Sequence, residues 1–383
     1  MEGLGPFPCV SCRPRLFLSS AWPGRELCRA RLLGMADALR MSALSEAAGK
    51  CAVANNLAVE NAGLKPAESR LAKALAGFKL RDTGFHLLTL AAAWAVLILL
   101  GGVIASLIVG SMPAIRAFGL NFLVTEAWNP VTEKFGAMAP VYGTIVTSLV
   151  AMAIAVPSAL GIAIFLTELC PYSLRRPIGT AIELLAGIPS IIYGIWGLFV
   201  FAPFLQEHVQ PGLISAFAGV PVLSKLFAGP PYGIGVLTAG VILAVMVLPI
   251  VTSISRDVFE TVPTVLKESA YAVGCTTWEV LRSVVIPYTR VGLIGGVMLG
   301  LGRALGETMA VTFVIGNAHR IAPSLLAPGT TISATIANEF TEAVGDLYTS
   351  ALITLGLILF VITFIILAIS RYMLMRLQSQ EGR

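Results

Sequence analysis

The stretch Glu268–Pro287, "ESAYAVGCTTWEVLRSVVIP", decides how this chain is organised. It lies between two long apolar runs, yet it is built for order rather than slack. Pro263, just upstream, suits the first turn of a helix, where a missing N–H costs nothing. Gly274 then fits a left-handed cap that ends this helix. Thr276-Thr-Trp-Glu279 fits a capping box that starts a second one, and Pro287 is expected to stop it. Two short helices hinged at a glycine make a rigid elbow. It is either an ordinary hairpin between neighbouring segments or a docking element for a soluble partner.

The surroundings identify the solvent. Hydrophobic residues make up 56% of the 383 residues and charged residues only 12%, against about 25% charged in a soluble domain. The apolar residues are clumped, which indicates transmembrane helices. Six spans are expected, at about 88–110, 143–167, 179–203, 232–254, 290–314 and 349–371, each long enough to cross a ~30 Å hydrocarbon core. The runs do not alternate as barrel strands do. Lys and Arg gather in every second connection. Arg70, Lys73, Lys79 and Arg81 precede the first span, Arg175 and Arg176 follow the second, and Arg371, Arg376 and Arg383 follow the last. Arg256, Lys267, Arg282 and Arg290 flank the elbow, and the opposite connections hold only Arg116, Lys134, Lys225 and Arg320. The elbow and both termini are therefore expected in the cytoplasm. The net charge of +5 belongs to this topology and not to nucleic acid, because no basic patch is interleaved with exposed aromatics.

The elbow resembles the EAA loop of ABC-importer permeases. That pattern is Glu-Ala-Ala, three residues, Gly, nine residues, then Ile-x-Leu-Pro. The chain supplies Glu268-Ser269-Ala270, Gly274 and Val284-Val285-Ile286-Pro287. The departures are Ser269 for Ala, Val284 for Ile and Ile286 for Leu. The resemblance implies an all-α integral membrane protein with six transmembrane helices in the type I, MetI-like fold. It also implies that the loop docks into a cleft on an ATPase subunit. Ala270, Val273 and Leu281 would then face that partner, and Glu268 would pair with a basic group on it. The chain has no G-x-x-x-x-G-K-[ST] phosphate loop, so ATP hydrolysis falls to another polypeptide. It also lacks H-E-x-x-H and G-x-S-x-G motifs, and His86, His208 and His319 are scattered. No catalytic residue and no cofactor are expected.

The fifth span carries "GLGRALGETMAVTFVIGN", Gly300–Asn317. Arg303 and Glu307 are one helical turn apart in apolar surroundings. An intramembrane charge costs at least about 2.5–3.5 kcal/mol on insertion scales and marks a functional site by default. The alternative is an internal ion pair, since i and i+4 share a helix face. Gly292, Gly296 and Gly300, and separately Gly302 and Gly306, repeat at four-residue spacing and invite close helix packing. Arginine offers a planar fork of donors suited to phosphate. Glutamate suits a phosphate oxygen that still carries a proton, which sulfate at neutral pH lacks. The segment resembles the fifth-span signature of phosphate ABC-transporter permeases, and the resemblance covers roughly residues 85–383. It implies a sister permease subunit, ATPase subunits and an extracytoplasmic phosphate-binding protein as partners.

Other features are weaker. Residues 1–84 read as an N-terminal cytoplasmic extension ahead of a permease domain at 85–383 with its coupling loop at 256–289. Its first 60 residues lack an h-region followed by a small-residue cleavage site. They read as an over-extended start, with Met35 or Met41 as initiator, or else as a cytoplasmic tail. Cys9-x-x-Cys12 has no second half to complete a zinc site, so no metal is expected, and Cys28 and Cys51 add none. Cys170 and Cys275 lie in cytoplasmic segments where a disulfide is not expected. Glu183 is read as a solvated residue near the interface. Pro157, Pro189 and Pro249 are read as bends or hinges inside spans. "PGTTISATIANEF", residues 328–340, is either a short helix at a pathway mouth or a connector. The rival functions are a permease for another oxyanion such as sulfate, molybdate or phosphonate, a channel or secondary transporter, and a membrane scaffold. The elbow, the fifth-span signature and the absence of an evident inverted repeat argue against them.

Overall fold

A computed structural model describes residues 68–381, with side chains from 82 to 376 apart from Val222. The initiator, the cysteines at 9, 12, 28 and 51, and the basic side chains at 70, 73, 79, 81 and 383 lie outside the described residues. The chain divides into two units, Met1–Trp94 and Ala95–Arg383. The described part of the first is the start of helix α1, Glu68–Phe118.

The elements after α1 are α2, Asn121–Val124, α3, Met138–Leu169, and α4, Tyr172–Ala186. Then come α5, Ser190–Phe217, α6, Pro221–Leu226, and α7, Val236–Glu260. They are followed by α8, Thr264–Ala272, α9, Thr277–Leu305, and α10, Met309–Thr312. The last two are α11, Ile332–Glu339, and α12, Asp346–Glu381. Six helices are long and apolar enough to cross a membrane: Asp82–Phe118 of α1, α3, α5, α7, α9, and Asp346–Arg376 of α12. The expected number of spans is therefore present, in an all-helical chain whose described residues hold no strand beyond one bridge between Asn129 and Lys134.

Two expected spans move. The third begins at Ser190 and not near 179, and the segment before it is the separate helix α4. The break falls at Gly187-Ile188-Pro189, where Pro189 has an extended ψ of 136° and caps the new helix. A proline disfavours helical geometry at the residue before it, so Pro189 separates two helices instead of bending one. Pro157 and Pro249 do lie inside α3 and α7. The fifth span runs from Thr277 to Leu305, not from 290 to 314. Pro287 does not stop the second elbow helix. A π-helical turn at Leu281–Val285 widens the helix just ahead of it, and the chain runs on as one rod. The turn lets Pro287 in without the ring-to-carbonyl clash that an ideal α-helix imposes.

Helix α7 sits at the centre of this unit. Ala239, Leu243, Val247 and Val251, each four residues from the last, are wholly buried. Ala151, Ala155 and Ala159 of α3 are wholly buried in the same cluster. Small side chains at one spacing let the backbones approach, the usual packing mode of membrane helices. The exposed Val96, Leu97, Ile98, Leu99 and Leu100 of α1 suit a lipid-facing surface.

At the end away from the elbow, the chain is tightly folded. Residues 328–340 form a helix: Thr331 caps α11 by accepting from Ala334 N at 3.2 Å. Thr144 of α3 accepts from Ile332 N at 3.0 Å. A Cβ on Gly143 would collide with the Thr330 carbonyl. Gly143→Ala should therefore cost about 1–3 kcal/mol, the range for overpacking, with a lowered unfolding temperature in detergent. Gly161→Ala, in the same helix with open space around its Cβ, should leave that temperature unchanged or raise it slightly.

Candidate functional site

The site is built on the end of α9. Gly292, Gly296 and Gly300 face α7, and a Cβ on each would lie 2.7 Å from Val258, Ile254 and Val251 respectively. The first glycine series is thus a packing stripe, as its spacing implies. Gly302 faces Leu367 of α12 at a looser 3.5 Å. Leu299 and Arg303, one turn apart, remain exposed.

Arg303 and Glu307 do not share a helix. α9 ends at Leu305 with Gly306 as its cap, and Glu307 and Thr308 form the junction to α10. Glycine at 306 is a poor helix former. Glu307 also offers the next element a partner, since its Oε1 accepts from Ala310 N at 3.4 Å. Among the described residues no ion pair joins Arg303 to Glu307. The expected i, i+4 geometry is therefore corrected, and the internal ion pair with it. Arg303 stands in the last turn of α9, where the partial negative charge of the helix terminus favours a cation. Its guanidinium stays open to another acceptor. A broken helix at membrane depth is tolerated where it is buried in protein or lines a water-filled path.

The elbow forms as its sequence dictates. Gly274 has φ +95°, with nothing within 4 Å of a Cβ. The capping box is complete: Glu279 N donates to Thr276 Oγ1 at 3.4 Å, and Thr276 N donates to Glu279 Oε2 at 2.8 Å. Its outward face is the expected one only at Val273, which is exposed. Leu281 is 3% exposed and Ala270 packs against the same core cluster. The exposed apolar side chains of the two short elements are Val265, Leu266, Tyr271, Val273 and Trp278. Leu281 turns inward because it lies on the face of α9 that continues into Val285 and Thr289. Of the motif residues, Glu268, Ser269, Ile286 and Pro287 are exposed, and Val284 is half-buried.

The basic residues near the elbow do more than their composition suggests. Lys267 Nζ meets Glu168 Oε1 at 2.5 Å. Arg175 Nε donates to Leu166 O at 2.7 Å, and its Nη2 donates to Thr167 O. Arg256 pairs with Glu183 at 2.8 Å, so Glu183 is not simply solvated.

A second polar centre, at the other end, is not legible in the sequence. Glu339 of α11 accepts from Trp128 Nε1 at 2.5 Å and from Tyr348 OH at 2.8 Å, and His319 Nε2 lies 2.7 Å from its other oxygen. Trp128 stacks on His319 with ring centroids 5.3 Å apart. Trp128 is 211 residues from Glu339 in sequence, and His319 and Tyr348 lie 20 and 9 residues from it outside α11, so no local spacing announces them. Burial pushes the Glu339 carboxyl up, but the bonds from His319, Tyr348 and Trp128 outweigh it and hold the group below the usual carboxylate value. A depressed folded value stabilises the fold above the unfolded carboxylate pKa, and that contribution is lost as pH falls through the folded value. The unfolding temperature of wild type should exceed that of Glu339→Gln at neutral pH, and the gap should close only at a pH below the ordinary carboxylate range.

The chain is similar to known proteins over most of its length. The family model described as "Binding-protein-dependent transport system inner membrane component" matches residues 159–379. A "Phosphate transport system permease protein PstC" of Mesorhizobium japonicum is 72% identical over 305 residues, covering 80% of this chain and 93% of the relative. The protein of the same name from Pasteurella multocida is 59% identical, covering 75% of this chain and 90% of the relative. Among solved structures, a chain of a bacterial alginate ABC transporter in complex with a pentasaccharide-bound periplasmic protein has a TM-score of 0.53. It covers 76% of this chain and 94% of its own length at 17% identity, a likeness of fold alone.

Proposed function

We propose, for a chain that belongs to the binding-protein-dependent transport system inner membrane components and within them to the phosphate transport system permeases PstC, that Arg303 meets the anion on its way through the membrane. The chain is the membrane permease subunit of an ATP-driven importer that brings inorganic phosphate into the cell. Residues 85–383 are its permease domain, set in the plasma membrane with both termini and the elbow on the cytoplasmic side. Its partners are a sister permease (PstA-like), ATPase subunits (PstB-like) and an extracytoplasmic phosphate-binding protein (PstS-like). ATP is hydrolysed on the PstB-like subunits.

One observation carries the role of Arg303. It is an exposed arginine in the last turn of a membrane helix that breaks three residues later, and no described acidic residue pairs with it. A guanidinium fork binds phosphate through two parallel bonds, which an ammonium does not reproduce. Among the described residues the Glu307 carboxylate accepts only the 3.4 Å contact from Ala310 N, which leaves carboxylate oxygen free to accept the proton of a phosphate. An acceptor at that position repels fully ionised sulfate, so it discriminates by penalising the wrong anion. Arg303→Lys should lower phosphate uptake in vesicles by about tenfold or more, the scale of a lost charge-assisted bond. Arg303→Met with Glu307→Met should insert and assemble yet carry no phosphate, and wild-type uptake by that pair would remove both residues from the path. Glu307→Gln should raise sulfate uptake relative to phosphate.

The elbow is the coupling element. In this reading Val265, Tyr271, Val273 and Trp278 present the apolar contact to the ATPase subunit, and Glu268 supplies a charge at its edge. Ser269, Ala270 and Gly274 set the bend, while Val284, Ile286 and Pro287 pass it into α9. Gly274 holds a left-handed backbone that costs an L-residue about 1–2 kcal/mol and a β-branched one more. Gly274→Val should spare membrane insertion while ATP hydrolysis linked to transport falls. Normal ATPase binding and normal coupled hydrolysis in Gly274→Val would refute the docking assignment.

A further inference from the structure

We propose that the Lys267–Glu168 ion pair is a strap that carries movement of the coupling loop into α3, which makes both side chains positioning residues for transport. The proposal rests on the reading of the elbow as the ATPase dock.

Helix α8 holds no buried residue of its own. It is attached by the chain to α7 at Pro263 and to α9 at Gly274, and its own side chains hold it through the half-buried Ala270 and through Lys267. Lys267 reaches across 99 residues of sequence to Glu168, and the two side chains are only 19% and 9% exposed. A surface ion pair contributes little, but this one is shielded and short, and breaking it strands a charge.

The far side of the strap is held firm. Glu168 lies in the π-helical turn Phe165–Leu169 that ends α3. Arg175 clamps the carbonyls of Leu166 and Thr167 in that turn, and Thr167 Oγ1 donates to Ala163 O at 3.0 Å. A pull on Glu168 therefore moves the helix instead of fraying its last turn. Arg175 belongs to α4, and α4 is tied to α7 through Glu183 and Arg256. The three ties form one connected frame, a contiguous route of the kind that carries coupling between sites.

The consequence concerns both ends of the unit. Loop movement enters α9 through the backbone at Gly274, and α9 bears Arg303. Through Lys267 the same movement enters α3, whose other end holds Ile332 N on Thr144 and packs Gly143 against Thr330. The strap thus makes α3 and its end contacts move together with α9. Without it, the loop reaches α3 only indirectly, through the packing of α3 on α7 and α9.

The test uses the whole importer, reconstituted with its sister permease, ATPase and binding protein in proteoliposomes. Phosphate carried is measured against ATP hydrolysed, and a photo-crosslinking side chain at Val273 reports docking. Lys267→Met and Glu168→Gln should keep the crosslink, while phosphate carried per ATP falls at least about fivefold, the low end of site-to-site coupling. Lys267→Arg, which keeps the pair, should retain the wild-type ratio, and Lys267→Glu with Glu168→Lys should regain much of it. Lys267→Met with Glu168→Met guards against misfolding, because it leaves no stranded charge. If that pair, or either single variant, crosslinks and carries phosphate at the wild-type ratio, the strap is overturned. If the wild-type loop itself gives no crosslink to the ATPase, the docking reading fails first.

Discussion

The approach of α9 to α7 through Gly292, Gly296 and Gly300 is the constraint on which the rest of the site depends. Inside a bilayer there is no water to drive helices together, so contact between small residues has to do it. Val258, Ile254 and Val251 of α7 press where side chains on α9 would otherwise stand. That contact fixes the rotation of α9 and with it the direction of Leu299 and Arg303. α7 is in turn held by the alanine stripe of α3. The position of one arginine is therefore set by two successive layers of small residues, none of which carries charge.

Charge at the elbow end obeys a different logic. Arg175, Arg256 and Lys267 satisfy the excess of basic residues that orients a membrane protein, and composition alone gives them no further task. Each is nonetheless bonded: Arg175 to backbone carbonyls, Arg256 to Glu183, Lys267 to Glu168. The two uses are compatible, because orientation is set during insertion by the local count of Lys and Arg and bonding is set afterwards by packing. The acidic partners come from α3 and α4, so the ties join spans that the sequence keeps far apart.

The legibility of the sequence divides along the same line. Features fixed by local chemistry could be read: six apolar runs, the left-handed Gly274, the capping box of Thr276 and Glu279, and the glycine stripe. Features fixed by competition between neighbours could not. Hydropathy measures how long an apolar run is but does not register where it breaks, so it merged α4 with α5 across Pro189 and carried α9 past Gly306. Pro287 looked like a stop because a proline rule assumes an α-helix, and the π turn at Leu281–Val285 removes that premise. The inward turn of Leu281 has the same cause, because it follows from the elbow running straight into α9. Glu339 with Trp128, His319 and Tyr348 gave no signal at all, since four segments meet there only in three dimensions.

The break after Leu305 changes what the two charges mean. On a continuous helix, Arg303 and Glu307 would neutralise each other, and the pair would amount to a costly substitute for apolar packing. With the helix broken, Glu307 turns to the backbone of α10 and Arg303 keeps its full charge at an exposed position. Lipid does not accept an unpaired arginine there without snorkelling or a water defect. The face that carries Leu299 and Arg303 is therefore one that protein or water covers in the working transporter. The chain supplies the cation, the acceptor beside it and the packing that aims them. The covering of that face has to come from the surface laid against it.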